Sequence, residues 1–165
     1  MCRRIRGSAS WGCCVPRELT IAGRVISDTA PCYVIAELGG THGGSTQTAF
    51  QLIAIASAAG ADAVKLQKRD NDTLYAKALL DQAYDNDYSY GPTYGAHRAA
   101  LEFDAEQYQA IWRTASQHSI TAFATAFDEA SADFLMQFDC PALKVHSGGL
   151  TDLALLHHVA SYDVP

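Results

Sequence analysis

Apolar residues in this chain come in short unbroken runs, and between the runs the spacing changes to that of a helix. The runs are "CYVIAEL" (32–38), "GADAVKLQ" (60–67), "ITAFATAF" (120–127) and "ALKVHS" (142–147). Each has strand length and is bounded by Gly, Pro or polar residues, which predicts buried strands of a parallel sheet. Between the first two, Ser45 predicts the cap of a helix reaching about Ala59, with Phe50, Ile53, Ala54 and Ser57 on its inward face. Further helices are predicted over 104–118, 129–138 and 151–161. Strand and helix alternate four times, the signature of helices packed on a parallel sheet with right-handed crossovers. Ahead of them, "ELTIAGRVIS" (18–27) alternates around a Gly-Arg turn and reads as a β-hairpin.

One connection breaks the rhythm. Residues 68–103 are too long and too rich in Tyr, Asp and Asn for a plain crossover, and such excursions are usually lids or partner surfaces, with surface ornament as the bland alternative. At the other end, Asp163-Val164-Pro165 reads as the approach to another strand. Two architectures fit four βα units, a small open α/β domain and the first half of an eight-stranded barrel. Residues 1–17 have arginines but no apolar core behind them, so they read as a disordered or artefactual extension rather than a secretory signal.

Composition narrows the function. The 165 residues are 48% hydrophobic and 18% charged, as in a globular domain, and the net charge of −6 argues against a general nucleic-acid or acidic-membrane binder. No apolar run has the ~20 residues that span a bilayer. The five cysteines form no CxxC pair and are odd in number, which suits reduced thiols in a cytoplasmic protein.

The candidate chemistry lies where α/β folds place it, at the carboxyl ends of the strands. The first run ends in Glu37, followed by Thr41 and His42 in "GGTHGG". The second offers Lys65, Gln67 and Lys68, the third Thr125 and Asp128, the fourth Lys144, His146 and Ser147. Lysines, hydroxyls and glycine turns together suit a phosphate- or carboxylate-bearing ligand. Glu37 is placed to orient a hydroxyl or act as acid or base. Lys144 raises a particular question, because a lone cation in a buried strand needs an anion. Taken singly, a lysine at a strand end is more often a surface group and His42 or His146 more often a hydrogen-bonded loop residue; it is their combination on one rim that argues for a site.

The blocks "YVIAELGGTHGG", "GADAVKLQKRDNDTLY", "SYGPTYGAHRAALEF", "FATAFDEASADFL" and "CPALKVHSGGLTDLALL" resemble, in order, those of the sialic acid synthase family, from about residue 20 to the end. These N-acetylneuraminate synthases condense phosphoenolpyruvate with an N-acetylhexosamine such as N-acetylmannosamine. The resemblance implies an α/β fold, the N-terminal half of a (β/α)8 TIM-type barrel over residues 18–165 behind the hairpin. It implies that Lys65, Thr125, Lys144 and Ser147 hold phosphoenolpyruvate, that Gln67 and His42 contact the sugar, and that Glu37 is catalytic. It implies also a divalent metal, Mn2+ or Mg2+, with ligands outside this chain, and a homodimer. The family's later strands and its antifreeze-like domain would lie beyond Pro165.

Several residues depart from the family pattern. Ser147-Gly148-Gly149 stands where the family has an acidic third residue, Thr41-His42 where it has Asn-His, and His146 where a small residue is usual. Two rivals therefore stay beside the synthase reading. One is a Schiff-base aldolase using Lys144; the other is a non-catalytic, truncated remnant. Four barrel strands alone would leave two sheet edges open, with Val34, Val64 and Phe123 expected on an uncovered inner face.

Overall fold

A computed structural model describes residues 17–165. The extension expected over residues 1–17 lies outside them except for Arg17, which pairs with Asp28 at 3.1 Å. Strands β1 (Glu18–Ile21) and β2 (Arg24–Ser27) form the antiparallel hairpin. The turn falls on Ala22-Gly23, one residue earlier than Gly-Arg, and both residues take positive φ, as a two-residue hairpin requires. Arg24 then ties the hairpin to the main sheet, pairing with Asp62 and lying 5.2 Å over the Tyr33 ring.

The main sheet is parallel, in the order β3 (Ile35–Gly39), β4 (Ala63–Lys68), β5 (Thr121–Ala126), β6 (Leu143–Val145). Helices α1 (Thr46–Ala58), α5 (Ala105–Gln117), α6 (Glu129–Met136) and α7 (Leu153–Ala160) follow the four strands. The last strand is shorter than "ALKVHS" suggested, because the chain enters a tight 3-10 turn at Ser147–Thr151. Each major helix starts on a side chain chosen for the task. Ser45, Asp104, Asp128 and Asp152 all accept a backbone N–H of the first turn, and Asp104 with Gln107 makes a full capping box.

Alternation along the strands divides the sheet into two faces. Lys68 Nζ lies 4.8 Å from the Phe134 ring of α6, so the even positions of β4 face the helices. Val64 and Leu66 are fully buried there, and Val64 is thus on the helix side, not on the inner face where it was expected. The same face of β5 is Ala122, Ala124 and Ala126, whose small side chains let α5 and α6 approach and bury Tyr108, Ile111 and Leu135. Burying each such large side chain is worth roughly 1.5–3 kcal/mol. On α1 the buried residues are Ala49, Ile53 and Ala56, a stripe turned slightly from the expected Phe50, Ile53, Ala54, Ser57. On the open face Ile35 is 42% exposed, but Phe123, expected to be uncovered there, is only 3% exposed; Val34 alternates with Ile35 and is 50% exposed just ahead of β3.

The long connection is folded rather than loose. It contains α2 (Asn71–Leu74), α3 (Lys77–Leu80) and α4 (Tyr94–Leu101), held by a cluster in which His97 packs on Tyr84, Tyr90 and Tyr94. It rests on the loop after β3. Gly44, at φ +77°, lies so close to α4 that a Cβ there would be 2.0 Å from the Ala100 carbonyl oxygen. At the other side Asp128 receives the Asp70 N–H at 2.8 Å while accepting from Ser131 N at 2.7 Å and Ser131 Oγ at 2.9 Å. Asp128, a strand-end candidate from the sequence, is thus an anchor of the insertion. No described helix is long and apolar enough to cross a membrane.

Two expected outcomes follow for stability, measured by urea denaturation. Asp128→Ala loses a cap and the tie to Asp70 and is expected to cost about 2–3 kcal/mol, with Asp128→Asn, which keeps one acceptor oxygen, losing less. Gly44→Ala is expected to cost about 2 kcal/mol or more, and clearly more than Gly60→Ala. Gly60 shares the positive φ, at +82°, but nothing lies within 4 Å of its Cβ position. Equal losses at the two glycines would show that the insertion does not press on the loop.

Candidate active site

The face that carries no helices collects the polar residues in rows. Strand register sets Glu37 beside Lys65 and Lys65 beside Phe123, then Gln67 beside Thr125 and Thr125 beside Lys144. Partners in a parallel ladder point the same way, so five of the seven residues expected from the sequence, Glu37, Lys65, Gln67, Thr125 and Lys144, share this face. A sixth, Ser147, follows β6 by two residues and opens the 3-10 turn, exposed.

Lys65 is the centre of the arrangement. Its side chain is only 11% exposed, and its ammonium donates to Glu37 Oε2 and, at 3.1 Å, to Thr125 Oγ1. Thr125 is 2% exposed, so a cation, a hydroxyl and a carboxylate meet at the edge of the core. Glu37 is the solvent-facing member, its side chain 48% exposed. The backbone around it is shaped by Gly39, at φ +48° beside a register shift in β3, where a Cβ would touch both Glu37 Oε1 and Gln67 Nε2 at 3.4 Å.

Two candidates sit differently from expectation. Lys144 is exposed rather than buried, on the last strand of the described sheet, and its side chain has no hydrogen-bond partner among the described residues. His42 does not face the open side. It is 4% exposed, stacks 4.3 Å from the Phe103 ring, and accepts the Gly44 N–H on Nδ1 at 3.1 Å. Burial lowers its pKa, opposed by a hydrogen bond with the Gly39 backbone. His42 builds the loop between β3 and α1. Lys68, offered by the sequence at the same rim, turns to the helix side and meets Glu102 Oε2 at 3.2 Å.

Three residues that the sequence reading passed over complete the rim. Arg69 donates to Gln67 Oε1, reaches Glu102 Oε1 at 3.8 Å, and holds its guanidinium 3.8 Å over the Phe127 ring. Glu102 thus neutralises the two cations that end β4. The available signal was period: Arg69 and Phe127 stand two residues beyond Gln67 and Thr125, on the same face. Gln67, with its oxygen engaged by Arg69, is left with Nε2 to donate.

Among the described residues no three His, Cys, Asp or Glu side chains converge on a point where a metal could sit. The residues here do not make the divalent-metal site implied by the resemblance, and such an ion would draw its ligands from outside them. A cavity of about 890 Å3 lies on the helix side, between α6 and the insertion, bordered by Lys68, Asn71, Tyr75, Thr93 and Phe134. It contains none of the converging Glu37, Lys65, Gln67, Thr125 and Lys144 side chains, so the chemistry points to the open face instead.

Comparison with known proteins bears on the family and the fold. The NeuB family model matches residues 52–165. Human N-acetylneuraminate-9-phosphate synthase is 34% identical over 152 residues, 92% of this chain and 42% of that protein. N,N'-diacetyllegionaminic acid synthase of Legionella pneumophila is 36% identical over 135 residues, 81% of this chain and 38% of that protein. Among solved structures, the spore coat polysaccharide biosynthesis protein SpsE of Bacillus subtilis superposes with a TM-score of 0.71 at 32% identity, covering 90% of this chain and 38% of its own. The N-acetylneuraminic acid synthetase of Leptospira borgpetersenii, in complex with citrate, gives 0.69 at 26% identity, covering 88% and 47%. The chain therefore spans less than half the length of these relatives. Its hairpin and four βα units are the N-terminal half of a (β/α)8 barrel. By family model, by relatives and by fold, the chain belongs to the NeuB family.

Proposed function

We propose that the protein condenses phosphoenolpyruvate with an N-acetylhexosamine, N-acetylmannosamine or a relative, to give a sialic-type acid and phosphate. The observation that carries this reading is the buried Lys65 ammonium, set between Glu37 and Thr125, with the unpaired Lys144 in register beside Thr125. Two cations and two hydroxyls, of Thr125 and Ser147, suit one small molecule bearing both phosphate and carboxylate. The relatives' names support the class, being synthases of N-acetylneuraminate-9-phosphate, diacetyllegionaminic acid and pseudaminic acid. A cytoplasmic setting suits the free thiols of Cys32 and Cys140.

In this reading Lys65, Thr125, Lys144 and Ser147 bind the phosphate and carboxylate and fix the enol carbon, C3, toward the sugar. The Gln67 amide and the exposed Glu37 orient the sugar aldehyde above it. C3 attacks the aldehyde carbon, forming the new C–C bond, and the aldehyde oxygen takes up a proton. The positive charge left at C2 is met by water, and the tetrahedral product loses phosphate by C–O cleavage to leave the keto acid. Glu37 is the group placed to accept the water's proton. The lysines oppose the negative charge of the substrate throughout, and a divalent ion bound elsewhere in the protein would add Lewis-acid polarisation of the aldehyde. The Schiff-base rival differs in requiring a covalent adduct on Lys144, which the condensation does not form.

The test is binding and turnover in the full-length protein. Lys65→Ala and Lys144→Ala are each expected to weaken phosphoenolpyruvate binding by about 10- to 150-fold in calorimetry, as loss of a charge-assisted bond of ~1.5–3 kcal/mol implies. Sugar-dependent phosphate release should fall at least in step. Wild-type affinity in both variants would remove the open face from the reaction, and a borohydride-trapped adduct on Lys144 would restore the aldolase.

A further inference from the structure

A second layer of side chains lies above the anion-binding row. The ladder pairs Lys68 with Ala126 and Ala126 with Val145, and continues through the Phe127 N–H to the Lys68 carbonyl at 3.2 Å. The next residues are Arg69, Phe127 and His146, on the same face as Gln67, Thr125 and Lys144 and roughly 6.6 Å farther out at the usual rise per residue. They form one stack. The His146 ring lies 4.6 Å from the Phe127 ring, tilted by only 12°, and the Arg69 guanidinium lies 3.8 Å from the Phe127 centroid. Phe127 follows β5, which lies between the strands that lead to Arg69 and to His146.

The far end of the stack is seated with some care. A Cβ on Gly148 would come within 3.2 Å of His146 Nδ1, and one on Gly149 within 3.0 Å of Nε2. The two glycines therefore give the imidazole its place, and any larger residue would press on it. Arg69, at the near end, is tied to Gln67 and Glu102. His146 is half-buried and has no side-chain hydrogen bond among the described residues, so both ring nitrogens remain available as donor and acceptor.

We infer that His146 is a contact for the second substrate, an uncharged polyhydroxy amide such as an N-acetylhexosamine, and that the stack on Phe127 holds it in position to select that sugar. The inference rests on the condensation reading. The charged substrate is drawn to the two deeper rows, that of Lys65 and that of Thr125 and Lys144. In the outer layer the one cation is already paired, which leaves a polar group suited to a hydroxyl or an acetamido oxygen rather than to a further charge.

The experiment uses the full-length protein with N-acetylmannosamine as the variable substrate, and measures phosphoenolpyruvate binding separately by calorimetry without sugar. His146→Ala is expected to raise KM for N-acetylmannosamine roughly tenfold, the size of one lost hydrogen bond, while phosphoenolpyruvate affinity stays within twofold. His146→Gln, which keeps a donor and an acceptor, should recover most of the loss. Phe127→Leu, which removes the stack but not the imidazole, should raise the same KM. An unchanged sugar KM in His146→Ala overturns the inference, as does an equal loss of phosphoenolpyruvate affinity, which would place His146 in the anion row. A wild-type protein that binds phosphoenolpyruvate but condenses no amino sugar overturns the condensation reading itself, and this inference with it.

Discussion

The Lys65 ammonium lies at the boundary of the core, with the Glu37 carboxylate on one side and Thr125 Oγ1 on the other. A cation withdrawn from water to that extent is tolerated only where counter-charge and hydrogen bonds replace its hydration. Three adjacent strands must therefore stay in one register, because Glu37, Lys65 and Thr125 come from β3, β4 and β5. A slip of one residue in any of them would turn its polar side chain into the helix layer and an apolar one outward. The site and the sheet are thus fixed by the same constraint.

The opposite face makes that constraint affordable. Its apolar residues on β4 and β5 are Val64, Leu66 and three alanines, all buried under the helices. Close helix packing on small residues leaves little room for the strands to shift. Over the carboxyl ends, the insertion is held from both directions, by Asp128 from α6 and by the Gly44 contact from the loop after β3. Glu102, at the end of α4, neutralises Lys68 and Arg69, and Arg69 in turn fixes Gln67. The rim is accordingly organised outward from the sheet through charge pairs rather than by a covering apolar lid.

Much of this was legible in the residues themselves. Short apolar runs separated by helical stretches gave the strand and helix order, and Ser45 marked the start of the first helix after the sheet begins. The strand-end candidates Glu37, Lys65, Gln67, Thr125 and Lys144 share one face because a period of two links them within and across strands. What stayed hidden depends on tertiary context. Continuous apolar runs carry no mark of which side faces helices, so Val64 was misplaced. Lys144 looked buried because its neighbours are apolar, whereas its side chain is exposed on the last strand of the described sheet. His42 stands in a glycine loop that suits a ligand equally well, and only its packing on Phe103 assigns it to the loop. The helices inside 68–103 are four to eight residues long, below the length at which periodicity is readable.

The central claim is that the open face of β4, β5 and β6 receives the phosphate and carboxylate of phosphoenolpyruvate. The most direct measurement is a crystal structure of the full-length protein with phosphoenolpyruvate bound. The account predicts its anionic oxygens within hydrogen-bond distance of Lys65 Nζ, Thr125 Oγ1 and Lys144 Nζ, at the carboxyl ends of the strands. Phosphoenolpyruvate lodged instead in the cavity between α6 and the insertion, with Lys65 still committed to Glu37 and Thr125 alone, would contradict it.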